Sequence, residues 1–533
     1  MRAGFGAVLL GVGGLTLASR VVGFGRSLVF SKTVGDTCLG DVYNAANALP
    51  NVLFEIVAGG VLAGVVVPVV ARHVAAGRRD ETERTVSALL TWTLLLLTVA
   101  AAAALLGAGA YARVYAVRAG CAGGASVLAS LLVMFVPQVW FYGVAVVSAG
   151  VLQASNRFLA AAAGPLVSSV VVIAAYLLFA RLAPVGASSD LAALDRPALL
   201  VLGLGTSAGV VALALCTAVP LARSGLRLRP SLRFAPGDAP VIASIAGAGL
   251  AGLVLQQVSV LVLTWSAQQV GDPGALTRFT WANAVYLLPY AVLAAPLLQL
   301  VFPRLAAAAD QGGGPVAEVL GRYAPLLAVL GCLGAALLVA TAVPVARVFV
   351  LGPGSGRTTA LAGPITALAP AVLGFALLGL ATRALLAQHK ALPAGVATAV
   401  AWGAVTAAVL VLRLIVPAGT VVVALAAAVS FGMVLGAALA WWLLRRVLPA
   451  PVPGLAAALL AGLVAAVPAA LAGAALARSA ADTGLVVALL LALAAAAVST
   501  AVFTGVLALV RPALLRSAWA LRSRDPGTEP SRA

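Results

Sequence analysis

Apolar stretches long enough to cross a bilayer recur along the chain, about one every 38 residues, since roughly 20 apolar residues in an α-helix span a hydrocarbon core of about 30 Å. The runs are continuous and do not alternate with a period of two, which disfavours a transmembrane β-barrel. Only 9% of the residues are charged, whereas soluble domains average about a quarter. The sequence therefore excludes a water-soluble enzyme and predicts an all-α polytopic membrane protein.

The breaks between apolar runs predict fourteen transmembrane helices, so both termini lie on one side of the membrane. The N-terminus lacks a small-residue cleavage site after a short apolar core, and we expect its first span to stay in the mature protein. The predicted spans are 4–31, 41–71, 86–111, 125–152, 158–180, 198–221, 239–269, 277–303, 323–345, 359–386, 392–414, 417–444, 454–477 and 484–510.

The basic residues predict the orientation. Most of the 33 Lys and Arg residues fall in the tails and alternate loops of one side, including clusters at 72–84 and 223–233. By the positive-inside rule, both termini are cytoplasmic. The net charge of +18 lies in short loops beside apolar spans, without a basic domain interleaved with aromatic residues. Anionic membrane lipids, and not nucleic acid, are the expected counter-charge.

A faint internal repeat predicts the domain organisation. The second span carries Asn44 with Pro50 six residues later, and the eighth carries Asn283 with Pro289 at the same distance. Halves of equal topology would be related by an axis along the membrane normal. We predict six-helix lobes at 1–222 and 223–450 around a central cavity, two further helices at 451–510, and a cytoplasmic tail at 511–533.

Charged residues inside predicted spans are the strongest functional signal, because each costs about 2.5–3.5 kcal/mol at a helix centre on insertion scales. Arg20 and Arg26 lie in the first span, with Gly23 and Gly25 between them as predicted hinges. A bend there would let both guanidinium groups reach one cavity. Arginine binds phosphate bidentately and stays charged, so the pair is a candidate pyrophosphate clamp.

The second span carries a polar stripe that falls within an arc of about 120° on a helix. Pro50 interrupts the backbone ladder inside the stripe and is a predicted hinge, as is Pro289 in the eighth span. An alternative role for the acids is structural, with Arg20 paired to Glu55 and Arg26 to Asp41. The acids could also compete with substrate phosphate for the arginines. The stripe consists of Asp41, Asn44, Asn47, Asn51 and Glu55.

Uncharged polar residues add two further faces, one on the seventh span and one on the eighth. Hydrogen bonding between helices would explain any single residue. Together the two faces favour a hydrated cavity lined by spans one, two, seven and eight. The residues are Gln257, Thr264 and Gln268, and Asn283, Tyr286 and Tyr290.

Residues 19–26, SRVVGFGR, followed by Asp41, by Leu49-Pro50-Asn51, by Gly59-Gly60 and by Val67-Pro68, resemble the MurJ/MviN family of lipid II flippases, in an actinobacterial-like variant. The motifs cover mainly 15–72, with weaker support from 280–304. The resemblance implies a bacterial plasma-membrane transporter that flips this peptidoglycan precursor by alternating access. It places Arg20, Arg26 and Asp41 in the cavity for the diphosphate-linked head group, and the last two spans along the polyprenyl tail.

The chain also departs from the family pattern. Well-studied relatives carry further cavity arginines where this chain has Phe54 and Ala284, and the seventh and eleventh spans here lack acidic sodium ligands. We therefore expect fewer phosphate-binding cations and no sodium coupling of that form. The expected driving force is the membrane potential, with no cofactor and an unassigned coupling ion. Cell-wall synthesis proteins are possible partners.

Three alternatives remain at this point. The chain could export another polyprenyl-linked polysaccharide unit or multiple drugs, or be a non-transporting scaffold. An embedded glycosyl- or acyltransferase needs catalytic acids, histidines or metal ligands. The chain has only His73 and His389, both expected to be solvated or interfacial near cytoplasmic helix ends. We predict no catalytic or metal site.

The four cysteines form no metal-binding pattern. Cys216 and Cys332 lie in apolar spans. Cys38 and Cys121 both map to outside loops, where oxidation is permitted, and we hypothesise a disulfide between them.

Overall fold

The computed structural model describes residues 2–59, 62–116, 121–155, 157–350, 358–450 and 452–514. These residues form helices and no β-strand, which confirms the predicted all-α class. The predicted tail at 511–533 falls mostly outside the described residues. The helices are α1 (Arg2–Thr33), α2 (Cys38–Phe54), α3 (Leu62–Ala75), α4 (Arg79–Leu106), α5 (Ala108–Tyr115), α6 (Gly124–Phe135), α7 (Gln138–Ala154), α8 (Phe158–Leu182), α9 (Arg196–Ala222), α10 (Asp238–Val270), α11 (Ala275–Pro289), α12 (Ala295–Ala309), α13 (Gly313–Phe349), α14 (Thr359–Ala367), α15 (Ala369–Ala387), α16 (Ala391–Ile415), α17 (Val421–Val447), α18 (Leu455–Ala477) and α19 (Leu485–Val510).

The fourteen predicted spans correspond to single helices or to two helices in direct succession. Within the described ranges, 12 helical stretches are long and apolar enough to cross a membrane. The remaining two predicted spans are α1 and the succession of α2 and α3. The chain is a multi-pass membrane protein with about 14 membrane helices.

The second and eighth spans share an irregularity that the proline spacing only partly predicts. A π-helix, Glu55–Gly59, follows α2, and another π-helix, Tyr290–Ala294, joins α11 to α12. Pro50 and Pro289 precede these segments, and each proline removes a backbone donor from the ladder. Short π-helical segments are frequent at functional sites. The second and eighth spans therefore each contain a turn with weakened backbone hydrogen bonding.

The chain divides into two compact units. Unit 1 comprises Met1–Trp281, Phe349–Gly356 and Val409–Val422, and unit 2 comprises Ala282–Val348, Arg357–Ala408 and Val423–Ala533. Unit 1 thus continues past residue 222 to include α10 and the start of α11. The organisation into two six-helix lobes followed by two further helices stays a prediction.

Small side chains bring the helices of unit 1 together. On α9, a Cβ added at Gly205 would meet Ala175 of α8, and one added at Gly209 would meet Val172. Such close approach allows dispersion contacts between backbones, which stabilise helix pairs where lipid offers no hydrophobic driving force. Glycine is therefore required at these positions of the α8–α9 pair.

In unit 2, the last two helices pack against α13 through a face of alanines. The core joins Cys332 of α13 to these alanines and to Phe503 and Leu507 of α19. Other large apolar side chains of α18 and α19 remain exposed, including Leu460 at 67% and Leu493 at 69%. The alanine face consists of Ala458, Ala461, Ala465 and Ala469. The pair therefore presents an uncovered apolar surface.

Candidate functional site

Arg20 and Arg26 lie on α1, in unit 1. Arg20 is exposed and Arg26 is half-buried, so neither guanidinium group is sealed among helices. No carboxylate lies within 4 Å of either guanidinium in the described part of the chain. The predicted pairs of Arg20 with Glu55 and of Arg26 with Asp41 are therefore not formed. Two cations in an apolar helix remain available to an anionic ligand.

Arg26 lies beside a group of tyrosines that sequence reasoning missed. It interacts electrostatically with Tyr43, Tyr142 and Tyr176. The Tyr43 hydroxyl lies 2.8 Å from that of Tyr176 and 3.0 Å from Thr206 Oγ1. Tyr43 lies on the second span but outside its polar stripe, so helical periodicity did not single it out. Arg26 therefore acts electrostatically on a buried, hydrogen-bonded group of hydroxyls.

Asp41 is fully buried and hydrogen-bonded to the start of α11. Its Oδ1 accepts bonds from the Thr277 N–H and hydroxyl, both at 2.8 Å, and its Oδ2 accepts one from the Gly274 N–H at 2.8 Å. A carboxylate is stabilised there by the unpaired amides and the positive dipole end of the helix. Asp41 thus fastens α2 to α11, and both carboxylate oxygens are occupied.

Further contacts surround this junction. Gln268 donates to the Asp41 carbonyl at 3.1 Å, and Asn44 donates to Thr277 Oγ1 at 3.1 Å. Gly274 has φ +89°, and a Cβ there would meet the Asp36 backbone, so only glycine fits. We call Asp41, Asn44, Gln268, Gly274 and Thr277 the Asp41 clasp.

A buried ion-pair cluster adjoins the clasp. Arg278 lies 3.3 Å from Asp36 and 2.6 Å from Asp272, and its own side chain is only 6% exposed. The sequence does not single out these residues, because Arg278 stands at a predicted span end, where charges are ordinary. The cluster joins the α1–α2 turn to the α10–α11 turn within unit 1.

The remaining part of the polar stripe has a different environment. Asn47 Oδ1 is buried without a hydrogen-bond partner among the described residues. Asn51 and Glu55 are half-buried, and Glu55 opens the first π-helix. The stripe therefore divides into a part engaged in the clasp, Asp41 and Asn44, and a part with unused polar atoms.

The polar residues of the seventh and eighth spans fall in different units. In unit 1, Gln257 and Thr264 of α10 are buried together with Gln268. In unit 2, Asn283 is half-buried, Tyr286 is buried, and Tyr290 contacts Phe375 with ring centroids 4.7 Å apart.

Arg383 lies on α15, within the predicted span 359–386. It interacts electrostatically with Tyr290, in the second π-helix, and donates to the Gly379 carbonyl at 2.9 Å. A cation thus accompanies the weakened turn of unit 2.

A disulfide joins Cys38, at the start of α2, to Cys121, in the segment before α6. The two Cα atoms are 5.7 Å apart, within the usual range for a disulfide. Cys216 and Cys332 are free. The bond fixes the end of α2 that carries the Asp41 clasp.

We expect alkylation of the denatured protein to modify two cysteines without reductant and all four after reduction. In a chain-entropy account, closing a loop over 83 residues stabilises the fold by at most about 5 kcal/mol. The double variant Cys38→Ser/Cys121→Ser should therefore unfold at lower temperature, whereas Cys216→Ser, as the control, should not. Modification of all four thiols without reductant would contradict the bond.

At the opposite end of unit 1, His73 is buried, so it is not a solvated side chain. Its Nε2 lies 2.8 Å from Asp238 Oδ2 at the start of α10, and its Nδ1 lies 3.0 Å from Glu81 Oε2 of α4. Arg72 also contacts Asp238, at 3.2 Å. The imidazole thus links three helices, which its position near a helix end does not reveal.

Comparison with known proteins shows which family this chain resembles. The family described as "Lipid II flippase MurJ" matches residues 30–496. The chain is 27% identical over 372 residues to a probable lipid II flippase MurJ of Rhizobium meliloti (strain 1021), covering 67% of this chain and 65% of the relative. It is 29% identical over 307 residues to the lipid II flippase MurJ of Burkholderia cenocepacia, covering 56% and 57%. The alignments thus span about two thirds or less of these relatives.

Solved structures share the fold. A lipid II flippase MurJ in an inward closed conformation has a TM-score of 0.69 at 15% identity, covering 92% of this chain and 98% of that one. An inward-facing multidrug transporter of the MATE family has a TM-score of 0.64 at 14% identity, covering 80% and 94%. The matched family covers most of the chain, and its members are transporters and not enzymes. The chain belongs to the lipid II flippase MurJ family.

Proposed function

We propose that this protein flips lipid II from the inner to the outer leaflet of the bacterial cell membrane by alternating access. The observation that carries the proposal is the pair Arg20 and Arg26 in an apolar helix without a carboxylate partner among the described residues. Keeping cations at membrane depth is costly, and an anionic ligand compensates the cost. Family membership supports lipid II, which carries a diphosphate, as that ligand.

Of the two arginines, Arg26 is the more buried. Its planar guanidinium can donate two parallel hydrogen bonds to a phosphate, and the half-buried position strengthens each of them. The Tyr43 and Tyr176 hydroxyls are hydrogen-bonded to each other and to Thr206, so this wall of the site is fixed. We assign Arg26 to diphosphate binding, Arg20 to a more exposed contact, and Asn51 and Glu55 to the polar surroundings.

The Asp41 clasp is assigned to closing the outer side. Its hydrogen bonds hold α2 against the start of α11, so an outward opening between these helices must break them. The disulfide keeps the end of α2 in place while α11 moves. Pro50, Pro289 and the π-helices that follow them are assigned as hinges, with Gly23 and Gly25 on α1.

The exposed apolar side chains of α18 and α19 are assigned to the polyprenyl tail, which can stay in the bilayer while the head group crosses. The predicted orientation, with both termini in the cytoplasm, supports transport from the inner to the outer leaflet. The membrane potential supplies about 2.3 kcal/mol per elementary charge per 100 mV, which can bias the cycle. We assign no cofactor and no coupling ion.

The test is replacement of the resident flippase in cells that can be depleted of it. We expect this chain to sustain growth and outward labelling of lipid II. Native mass spectrometry of the purified protein should show lipid II bound in preference to undecaprenyl phosphate, which lacks the disaccharide-pentapeptide. Export of cationic dyes without lipid II labelling would instead favour a multidrug exporter, and retained growth with no labelling at all would contradict the proposal.

A further inference from the structure

A cavity lies at the end of unit 1 where α3, α7 and α9 finish and α4 begins. Its volume is about 300 Å³, at the lower end of small-molecule sites. Its walls combine two arginines with five large apolar side chains, one of which is Val74. The residues used here are Arg79, Arg157, Val151, Leu152, Leu221 and Leu226.

The two arginines differ in how they are held. Arg79 donates to the Gly225 carbonyl and lies 3.1 Å from Glu83, so its charge is partly compensated. The Arg157 backbone is fixed by a 2.8 Å bond from its N–H to the Leu152 carbonyl. Its side chain is exposed and lies within 4 Å of no carboxylate in the described ranges. Arg157 is therefore the cation available to a ligand.

Apolar groups accompany this charge. Val151 and Leu221 belong to the buried cluster that joins α3, α4, α7 and α9, and Leu152 is also buried. Val74 lines the cavity and is 38% exposed, while Phe158 and Leu159 follow Arg157 with exposed fractions of 36% and 51%. In a membrane protein, exposed apolar side chains of this kind face acyl chains. A ligand here would contact an arginine with an anionic part and apolar side chains with the rest.

We infer that this cavity binds the head group of an anionic glycerophospholipid, with Arg157 contacting the phosphate and the acyl chains lying along Val74 and the start of α8. Basic pockets between membrane helices on the cytoplasmic side bind such head groups. The end of unit 1 concerned is the one that the basic residues predict to be cytoplasmic. Helix ends of both polarities surround the cavity, so the arginines and not helix dipoles provide the charge. The volume fits a phosphoglycerol group and is too small for a disaccharide-pentapeptide.

The experiment measures lipid binding to delipidated protein by native mass spectrometry, with phosphatidylglycerol as the probe and phosphatidylcholine as the neutral comparison. We expect Arg157→Gln to weaken phosphatidylglycerol binding about fivefold or more, because a charge-assisted contact is lost. Arg157→Lys should retain most of the binding. Arg233→Gln, which removes another exposed arginine outside the cavity, should change binding less than about twofold.

Three results would overturn the inference. Equal weakening by Arg157→Gln and Arg233→Gln would show a general effect of surface charge. Binding of sn-glycerol 1-phosphate as tight as that of phosphatidylglycerol would show a site for a soluble anion. Loss of lipid II binding in Arg157→Gln, to the same extent as phosphatidylglycerol binding, would place Arg157 on the transport path. Thermal unfolding of each variant without added lipid provides the control for folding.

Discussion

Replacing Arg26 with alanine is expected to abolish complementation of flippase-depleted cells and to lower outward labelling of lipid II about tenfold or more. A hydrogen bond to a charged group contributes about 1.5–3 kcal/mol, and each 1.4 kcal/mol corresponds to a factor of ten. The side chain is half-buried, so water replaces its charge poorly. Arg26→Lys keeps the charge but loses the bidentate geometry, and intermediate labelling is expected.

The matched control is Arg181→Ala, at the exposed end of α8, which should behave like the parent chain. Arg20→Ala should reduce labelling less than Arg26→Ala, since Arg20 is more exposed. The amount of protein in the membrane and its unfolding temperature must match those of the parent. Full growth and labelling with Arg26→Ala at normal protein levels would remove the assignment of Arg26 to the diphosphate.

The second large effect is expected for Asp41→Ala. The substitution leaves two backbone N–H groups and one hydroxyl without their acceptor, all of them buried at the clasp. Each unsatisfied buried group costs about 1–3 kcal/mol, so the free energy of unfolding should fall by about 3 kcal/mol or more. Thermal unfolding in detergent measures the change. Transport should also fall, because the outer side no longer closes.

Asp195→Ala provides a control for the loss of a helix-capping acid. Asp195 caps α9 through one bond of 3.3 Å to the Ala198 N–H and is exposed, so its loss should cost about 1 kcal/mol. Asp41→Asn keeps one acceptor oxygen and should fall between the parent and Asp41→Ala. If Asp41→Ala and Asp195→Ala lowered the unfolding temperature equally, the clasp would not be the stabilising element that the geometry indicates.

The helices were predictable because membrane helices must satisfy their own backbone hydrogen bonds, which leaves a local signal in every apolar run. The polar face of the second span was predictable because helical periodicity places its residues on one side of the helix. The division of that face into a part engaged in the clasp and a part with unused polar atoms was not predictable. Asp41 meets Thr277 and Gly274, which are 236 and 233 residues away in sequence, and helical periodicity gives a direction but not a partner.

For His73 too, the sequence does not reveal a partner that is distant along the chain. Near a helix end a histidine is usually solvated, yet Asp238, 165 residues away, meets it in the interior. For Cys38 and Cys121, placement on one side of the membrane allowed a pairing hypothesis without specifying the distance, which only tertiary packing determines. The predicted ligand residues Gln257, Asn283 and Tyr286 stay predictions, since hydrogen bonding and packing between helices use the same residue types.

The two π-helices give each half of the chain one surplus residue in a membrane helix. In an α-helix each residue turns the chain by about 100°, so moving that surplus by one position re-aims every side chain it passes without unwinding the rest. Moving the π-helical turn along residues 55–59 or 290–294 would therefore change the register of the span by single steps. Such stepwise rotation would turn polar groups between two directions while the ends of the span stay anchored.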